Sequence, residues 1–513
     1  MMKKWLLLCM IAVLAALAGG CGEERQAVTG GNSLVYATHD YDTINPLTDE
    51  YSELSELLFD GLVRRDGTGA IVPGLASSWD YDAETCTYVF HLREGARWHD
   101  GKPVRAADVK FTIEAVQNPL VGAINASNFE EVREITELDD RTVRIRLSAP
   151  NAAFIDYMMQ PILPAHLLSG RDLGATGFFR SPVGTGPYRF ESWAAGEEIV
   201  LVRNEDYYRG APKIDRIVLR IMPDEAAEGA ALKSGIVDMA QLSPQEAEPF
   251  AALDGYRRYD MKTSNYGSIL FNFYHPYWMR NRDLIPAISC AINRQAVVDK
   301  ALLGYGEPAY GPLQRNIYYD PNAPHYDYDP AKARALLAAA GCVLGGDGFY
   351  TRGGEEVAFR LSVKNDKFSR IDIANVVAAQ LRDAGIRCTV ETPAQVDWDG
   401  QMAYLGGVGG ALDADTHTYK VFVTKESGND SHYSNPRVDE YLLAARRTLD
   451  PAERRHYYAL FQEELAKDPP YTFICYIDAI YVAKTRVHGI TEELLLDHRA
   501  TGLFWNVHEW TLD

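Results

Sequence analysis

Hydrophobic and polar residues alternate with a period of two in several short runs of the chain. LVYAT (34–38) reads as an opening strand, and TYVFHLR (87–93) and TVRIRLS (142–148) read as strands with one buried face. KIDRIVLRIM (213–222) is a further strand. Helical spacing is clearest in the second half, where some ends are well punctuated. Asp329-Pro330 opens AKARALLAAAG with a capping acid and a proline in the first turn, and Gly341 stops it. Asp450-Pro451 repeats the device, with Glu453 placed for a capping box, and Pro469-Pro470 ends that helix. VAFRLSVKN (357–365), a helix through Ala374, Val377, Leu381 and Ala384, and RCTVET (387–392) form a strand–helix–strand unit. Strands joined by such a crossover run parallel, which predicts an α/β layer. The first half is richer in strands and turns, so the two halves read as different domains.

The first twenty residues read as an address. Lys3 and Lys4 precede an apolar run from Trp5 to Ala18. The run is shorter than the roughly 20 residues that span a bilayer, and its charged, apolar, then small-residue layout is that of a secretory signal. LAGG before Cys21 resembles the bacterial lipobox, which implies removal of residues 1–20 and a diacylglycerol on the Cys21 thiol. Two acyl chains give stable anchoring. Residues 21–32, polar and glycine-containing, read as a tether. The predicted location is the extracytoplasmic face of the cell membrane, reached through the lipid alone.

At 513 residues the chain exceeds one simple core, which predicts about two to four domains. Its 47% hydrophobic and 24% charged residues are those of a soluble globular protein. The net charge is −20, or −22 without Lys3 and Lys4, which argues against nucleic acid and against adhesion to anionic lipid. Beyond Cys9 and Cys21 lie Cys86, Cys290, Cys342, Cys388 and Cys475, an odd number at wide spacing with no CxxC. That pattern predicts neither a disulfide framework nor a zinc knot, leaving Cys342 with Cys388 as a pair that could bridge. GxSxG, HExxH and GxGxxG are absent, and GARWHDGKP (95–103) fails as a P-loop because Pro103 stands where Ser or Thr should hold magnesium. No enzymatic activity and no cofactor are expected.

Several strings in order carry a family resemblance. The strongest is LFDGLVRRDGTGAIVPGLASSWDYDAETCTYVFHLREGARWHDGKPVRAADVKFT (58–112). It is followed by PVGTGPYRF (182–190), NEDYYRGAPKIDRI (204–217), ISCAINRQAVVDKALLG (288–304) and YSNPRVDEYLLAARRTLD (433–450). Together they resemble the family-5 extracellular solute-binding proteins of ABC transporters, the group containing oligopeptide-, dipeptide- and nickel-binding proteins. The resemblance implies an α/β, two-lobed periplasmic-binding-protein-like fold of class C. Lobe I would comprise 33–268 plus 483–513, with a subdomain inserted at about 54–184. Lobe II would comprise 269–482, and two crossing strands near 266–273 and 475–482 would form the hinge. The implied function is capture of a peptide between the lobes and its delivery, intact, to the transmembrane subunits of an ABC permease, by a monomer. Nickel or a metal chelate is the alternative ligand, and a peptide-signal receptor is a further alternative.

WHDG (98–101) and GTGPY (184–188) read as a tight turn and a structural corner. GGVGGALDADTHTYKVF (406–422) is the best candidate for ligand contact, because the corresponding stretch lines the cleft in the family. Peptide-binding members carry there an aspartate that pairs with the ligand amine, and its column falls on Gly410 here; Gly407 or Val408 replaces the family's tryptophan. Asp413, Asp415 and His417 stand at every second position. If extended, they share one face and could meet an amine or, in a minority reading, a metal; otherwise Asp415 caps a short helix starting at Thr416. Tyr419, Asn265 and Tyr266 complete the candidate contacts through their positions beside this loop and the hinge.

Overall fold

The computed structural model describes residues 31–49, 53–364, 368–408, 413–497 and 502–513. The signal, Cys21 and most of the tether, together with Gly410, lie outside the described residues.

Two large sheets organise the chain. The first has the order Tyr256–Met261, Ala479–Lys484, Met239–Leu242, Ser33–Thr38, Arg216–Ile221, Glu198–Arg203, Tyr188–Ala194. Its central strand Ser33–Thr38 is buried at all six positions and pairs in parallel with Arg216–Ile221 and Met239–Leu242. Leu34 and Tyr36 enter one core and Val35 and Ala37 another, so this sheet is covered on both faces. The second sheet has the order Gly306–Pro308, Tyr471–Ile477, Tyr266–Phe271, Ala403–Val408, Ala358–Ser362, Arg387–Glu391. Ala358–Ser362 and Arg387–Glu391 are parallel and flank the helix Phe368–Asp383, whose Ala374, Val377 and Leu381 are fully buried. The predicted strand–helix–strand unit is thus present. The Asp329 and Asp450 carboxylates each accept two main-chain N–H groups at the starts of Pro330–Ala339 and Pro451–Lys467.

A four-stranded antiparallel sheet, Ala76–Asp82, Thr87–Leu92, Thr142–Leu147, Val132–Asp139, forms the inserted subdomain with the helix Ala106–Gln117. WHDG closes as a turn, with Gly101 at φ +84. His99 also ties the subdomain to the GTGPY corner: its Nδ1 accepts from Gly184 N at 3.1 Å, and its Nε2 lies 3.0 Å from Gly186 O. A Cβ on Gly184 would overlap the Leu58 carbonyl oxygen, and one on Gly186 would come within 2.6 Å of Leu57 O. Both glycines are there for close backbone approach.

The chain passes between the two sheets at residues 262–265 and again at Asp478. Tyr266–Phe271 belongs wholly to the second sheet and Ala479–Lys484 wholly to the first. Ile477 N donates to Asn265 O (3.0 Å) and Thr263 Oγ1 to Ile477 O (2.6 Å), so the crossings support each other. Arg315 braces both, donating to Thr263 O at 2.8 Å and pairing with Asp478 at 2.8 Å.

All five described cysteines are free. Cys342 and Cys388 stand in different sheets, which removes the bridge considered from sequence.

Candidate functional site: the face between the lobes

Strand registers show which edges meet. In the first sheet, Leu242 pairs with Ile480 and Met261 with Ala479, so the crossings leave from the edge where Ser33–Thr38 and Met239–Leu242 end. In the second, Tyr266 pairs with both Tyr476 and Val408, and Ala358–Ser362 runs parallel to Ala403–Val408. The carboxyl ends of the parallel strands in both sheets therefore lie at the hinge edges, the usual position for a ligand in open α/β sheets.

Away from the hinge, the lobes touch again where the inserted subdomain meets lobe II. Ala152 N donates to Arg446 O (2.8 Å), Lys420 Nζ to Ile124 O (2.8 Å) and Arg447 Nη1 to Pro150 O (2.8 Å). Arg447 also pairs with Glu131. At the centre, Tyr157 Oη donates to Asp415 Oδ2 at 2.7 Å, across the lobes. Asp415, 1% exposed, is held in its own lobe by Arg446, whose Nε lies 3.0 Å from Oδ1 and Nη2 2.7 Å from Oδ2. Burial and the neighbouring Asp415 push the Tyr157 phenol well above its ordinary range, which keeps it a donor. Next to this contact, Arg65 pairs with Asp156 in the subdomain and Arg454 with Asp413 in lobe II, the latter at 2.7 and 2.8 Å. Burial raises the Asp156 carboxyl to about 7, with the Asp413 charge adding to the effect. Burial would raise Asp413 too, but the Arg454 guanidinium overcomes it and holds the group below the usual carboxylate range.

The candidate residues therefore separate. Asp415–Phe422 is helical, so Asp413, Asp415 and His417 do not share a face. The helix begins one residue earlier than expected, and Asp413, not Asp415, takes the capping role by accepting Asp415 N at 2.9 Å. His417 is buried with Nε2 3.3 Å from Pro312 O. The three lie among separate partners, and no group of three or more metal-ligating side chains occurs among the described residues. Tyr419 lies under Arg446, 3.3 Å from guanidinium carbon to ring centroid, and lines a polar cavity of ≈ 80 Å³ with Asn128, Glu130, Thr416 and Glu426. Tyr266 is fully buried and packs on Phe473 and Tyr476, a core position and not a contact. Asn265 sits in the hinge, and its side-chain oxygen is buried with no hydrogen-bond partner among the described residues.

Sequence reasoning missed Tyr157, Arg446, Arg454, Arg65 and Asp156. One signal was present: Arg454 stands in the first turn of Pro451–Lys467, where the helix dipole disfavours a cation, so a strong local anion was to be sought.

The profile for bacterial extracellular solute-binding proteins, family 5 Middle, matches residues 70–429, more than half the chain. Protein XP55 of Streptomyces lividans is 33% identical over 466 residues, 88% of this chain and 85% of that protein. The glutathione-binding protein GsiB of Pectobacterium atrosepticum is 29% identical over 92% of each chain. The crystal structure of NikZ from Campylobacter jejuni, in complex with Ni(L-His), superposes with a TM-score of 0.88 at 31% identity, covering 94% of this chain and all of that one. No helix among the described residues is long and apolar enough to cross a membrane. Two lobes joined by two crossings, with strand ends facing across them, are what such proteins close around a solute, and this chain belongs to the family-5 extracellular solute-binding proteins that serve the permease subunits of ABC importers.

Proposed function

We propose that the protein is anchored by lipid at Cys21, acts as a monomer, and captures a short peptide between its lobes for delivery to the permease. The observation that carries the peptide reading is the state of the polar groups at the closing face. The carboxylates of Asp413 and Asp415 are already occupied by Arg454, Arg446 and Tyr157. The Asn265 oxygen at the hinge edge is a buried acceptor without a donor among the described residues, and buried polar groups are ordinarily hydrogen-bonded. Around it stand strand ends with main-chain donors and acceptors. Such a surface suits a ligand that carries N–H and C=O groups along its length. GsiB, named for glutathione, itself a small peptide, is in keeping with this.

A second reading is favoured by one comparison, the likeness to NikZ with its nickel–histidine ligand. An amino-acid chelate brings its own metal ligands and needs from the protein mainly hydrogen bonds, which Asn265 and the strand ends also offer.

Closure follows from differential affinity: a ligand touching both strand edges binds the closed form better and shifts the population towards it. Native mass spectrometry of the protein as purified separates the readings, by a heterogeneous set of peptide masses in one case and a nickel-bearing adduct in the other. A ligand-free mass, joined to no thermal stabilisation by a library of di- to pentapeptides, would defeat the peptide reading.

A further inference from the structure

The C-terminal end of the helix Pro436–Arg447 in lobe II is completed by lobe I. The last four carbonyls of a helix find no partner within it. Here Ala444 O takes Thr448 N at 3.1 Å and Ala445 O takes Arg454 Nε at 3.2 Å, both from lobe II. Arg446 O instead takes the main-chain N–H of Ala152, at 2.8 Å, from the inserted subdomain. One residue on, Arg447 Nη1 donates to Pro150 O at 2.8 Å, and the same guanidinium pairs with Glu131. Lys420, on the helix Asp415–Phe422, adds a bond of the same kind to Ile124 O at 2.8 Å.

The subdomain holds its half of this contact with bonds of its own. Asn151, 1% exposed, accepts Ala153 N through Oδ1 and donates from Nδ2 to Glu131 Oε2, both at 3.0 Å. Ser148 N donates to Glu131 O at 2.8 Å. These bonds stay within the subdomain, so they set the backbone around residues 150–152 whatever lobe II does. The Ala152 N–H, the Pro150 carbonyl and the Glu131 carboxylate then face lobe II as a preformed donor, acceptor and anion. The helix end offers the complement: a carbonyl, a guanidinium donor and the cation that suits the negative end of its dipole. Groups already in place lose little conformational freedom when they pair, which lets a few bonds hold two lobes. The match uses none of the strand ends at the hinge edges.

We propose that the inserted subdomain is a latch for lobe II, closing on the end of Pro436–Arg447 whether or not a ligand is held, so that the empty protein rests mostly closed. Opening, not encounter, then limits capture, because a cleft hidden in the resting form is reached only through the open minority. The latch rests on the two lobes and their hinge and not on the kind of ligand between them.

The test is amide hydrogen exchange, resolved to single residues by fragmentation in the mass spectrometer, on protein dialysed from mild urea until native mass spectrometry gives a ligand-free mass. Wild type is compared with Arg447→Met and Glu131→Gln. In the empty wild type the Ala152 amide exchanges about tenfold more slowly than in either variant. The Leu147 amide, bonded to Cys86 O at 2.9 Å within the subdomain, exchanges alike in all three. Small-angle scattering gives the empty wild type a compact, closed profile and the variants a wider one. Glu131→Gln removes the charge and can still accept from Asn151, so it guards against an Arg447→Met chain that fails to fold. An Ala152 amide that exchanges as fast in the empty wild type as in both variants would overturn the latch, and so would scattering that shows the empty wild type open. A rise at Leu147 equal to that at Ala152 would overturn it too, since the contact would then support the subdomain's own structure and not its hold on lobe II.

Discussion

Replacing Tyr157 with phenylalanine tests whether the subdomain contact helps to hold the lobes together. The substitution removes one hydroxyl and keeps the ring, which packs among Phe129 and Phe154 with centroids 6.3 Å from each. The lost bond is the 2.7 Å donation to a carboxylate that is 1% exposed. Hydrogen bonds to buried charged groups contribute about 1.5–3 kcal/mol, and each 1.4 kcal/mol is about tenfold in an equilibrium. Asp415 keeps Arg446 in either state, so the loss falls on the closed form alone. The closed-to-open ratio should drop about 10- to 100-fold. Because a ligand that needs the closed form binds in proportion to its population, ligand affinity falls by up to the same factor, mostly through faster release. Small-angle scattering of the liganded protein reads the lobe separation, and stopped-flow reads release. Unchanged scattering and release, with only a lower melting temperature, would refute the reasoning and leave Tyr157 a packing residue.

Arg454→Met strands the Asp413 carboxylate in a buried site and should cost about 3–5 kcal/mol in urea unfolding. Gly184→Ala forces its Cβ into the Leu58 carbonyl and should abolish soluble protein, whereas Gly101→Ala, at φ +84 with open space around it, should cost about 1 kcal/mol in the same assay. Asp156 has a folded pKa of about 7, above its ordinary 3.8, so the folded protein binds the extra proton and stability falls as pH rises from about 4 to about 7. Asp156→Asn should flatten that part of the melting-temperature profile, with Arg65, Asp413 and Arg454 still in place around it. Asn265→Ala should weaken ligand binding about tenfold in calorimetry, with little change in melting temperature.

Much of the fold was legible because it is written locally. Asp329 and Asp450 cap their helices through bonds two and three residues away, and the buried face through Ala374, Val377 and Leu381 is a matter of helical period. His99 and Asp100 could be read as turn residues for the same reason, although the partners of His99, Gly184 and Gly186, lie 85 and 87 residues on and no local rule reveals them.

The closing face was misread because the fate of a carboxylate depends on distant partners. Spacing alone left Asp413, Asp415 and His417 open as ligands, and spacing was the wrong variable. Arg454 and Arg446, 41 and 31 residues away, decide whether the two acids are available, and Tyr157, 258 residues away, decides what Asp415 faces. A buried acid with a guanidinium of its own is already neutralised, and a ligand amine would have to displace that pairing at a cost of several kcal/mol. Unpaired groups are the better guide to what a binding protein holds. By that criterion Asn265 at the hinge outranks each carboxylate of the Asp413–His417 run.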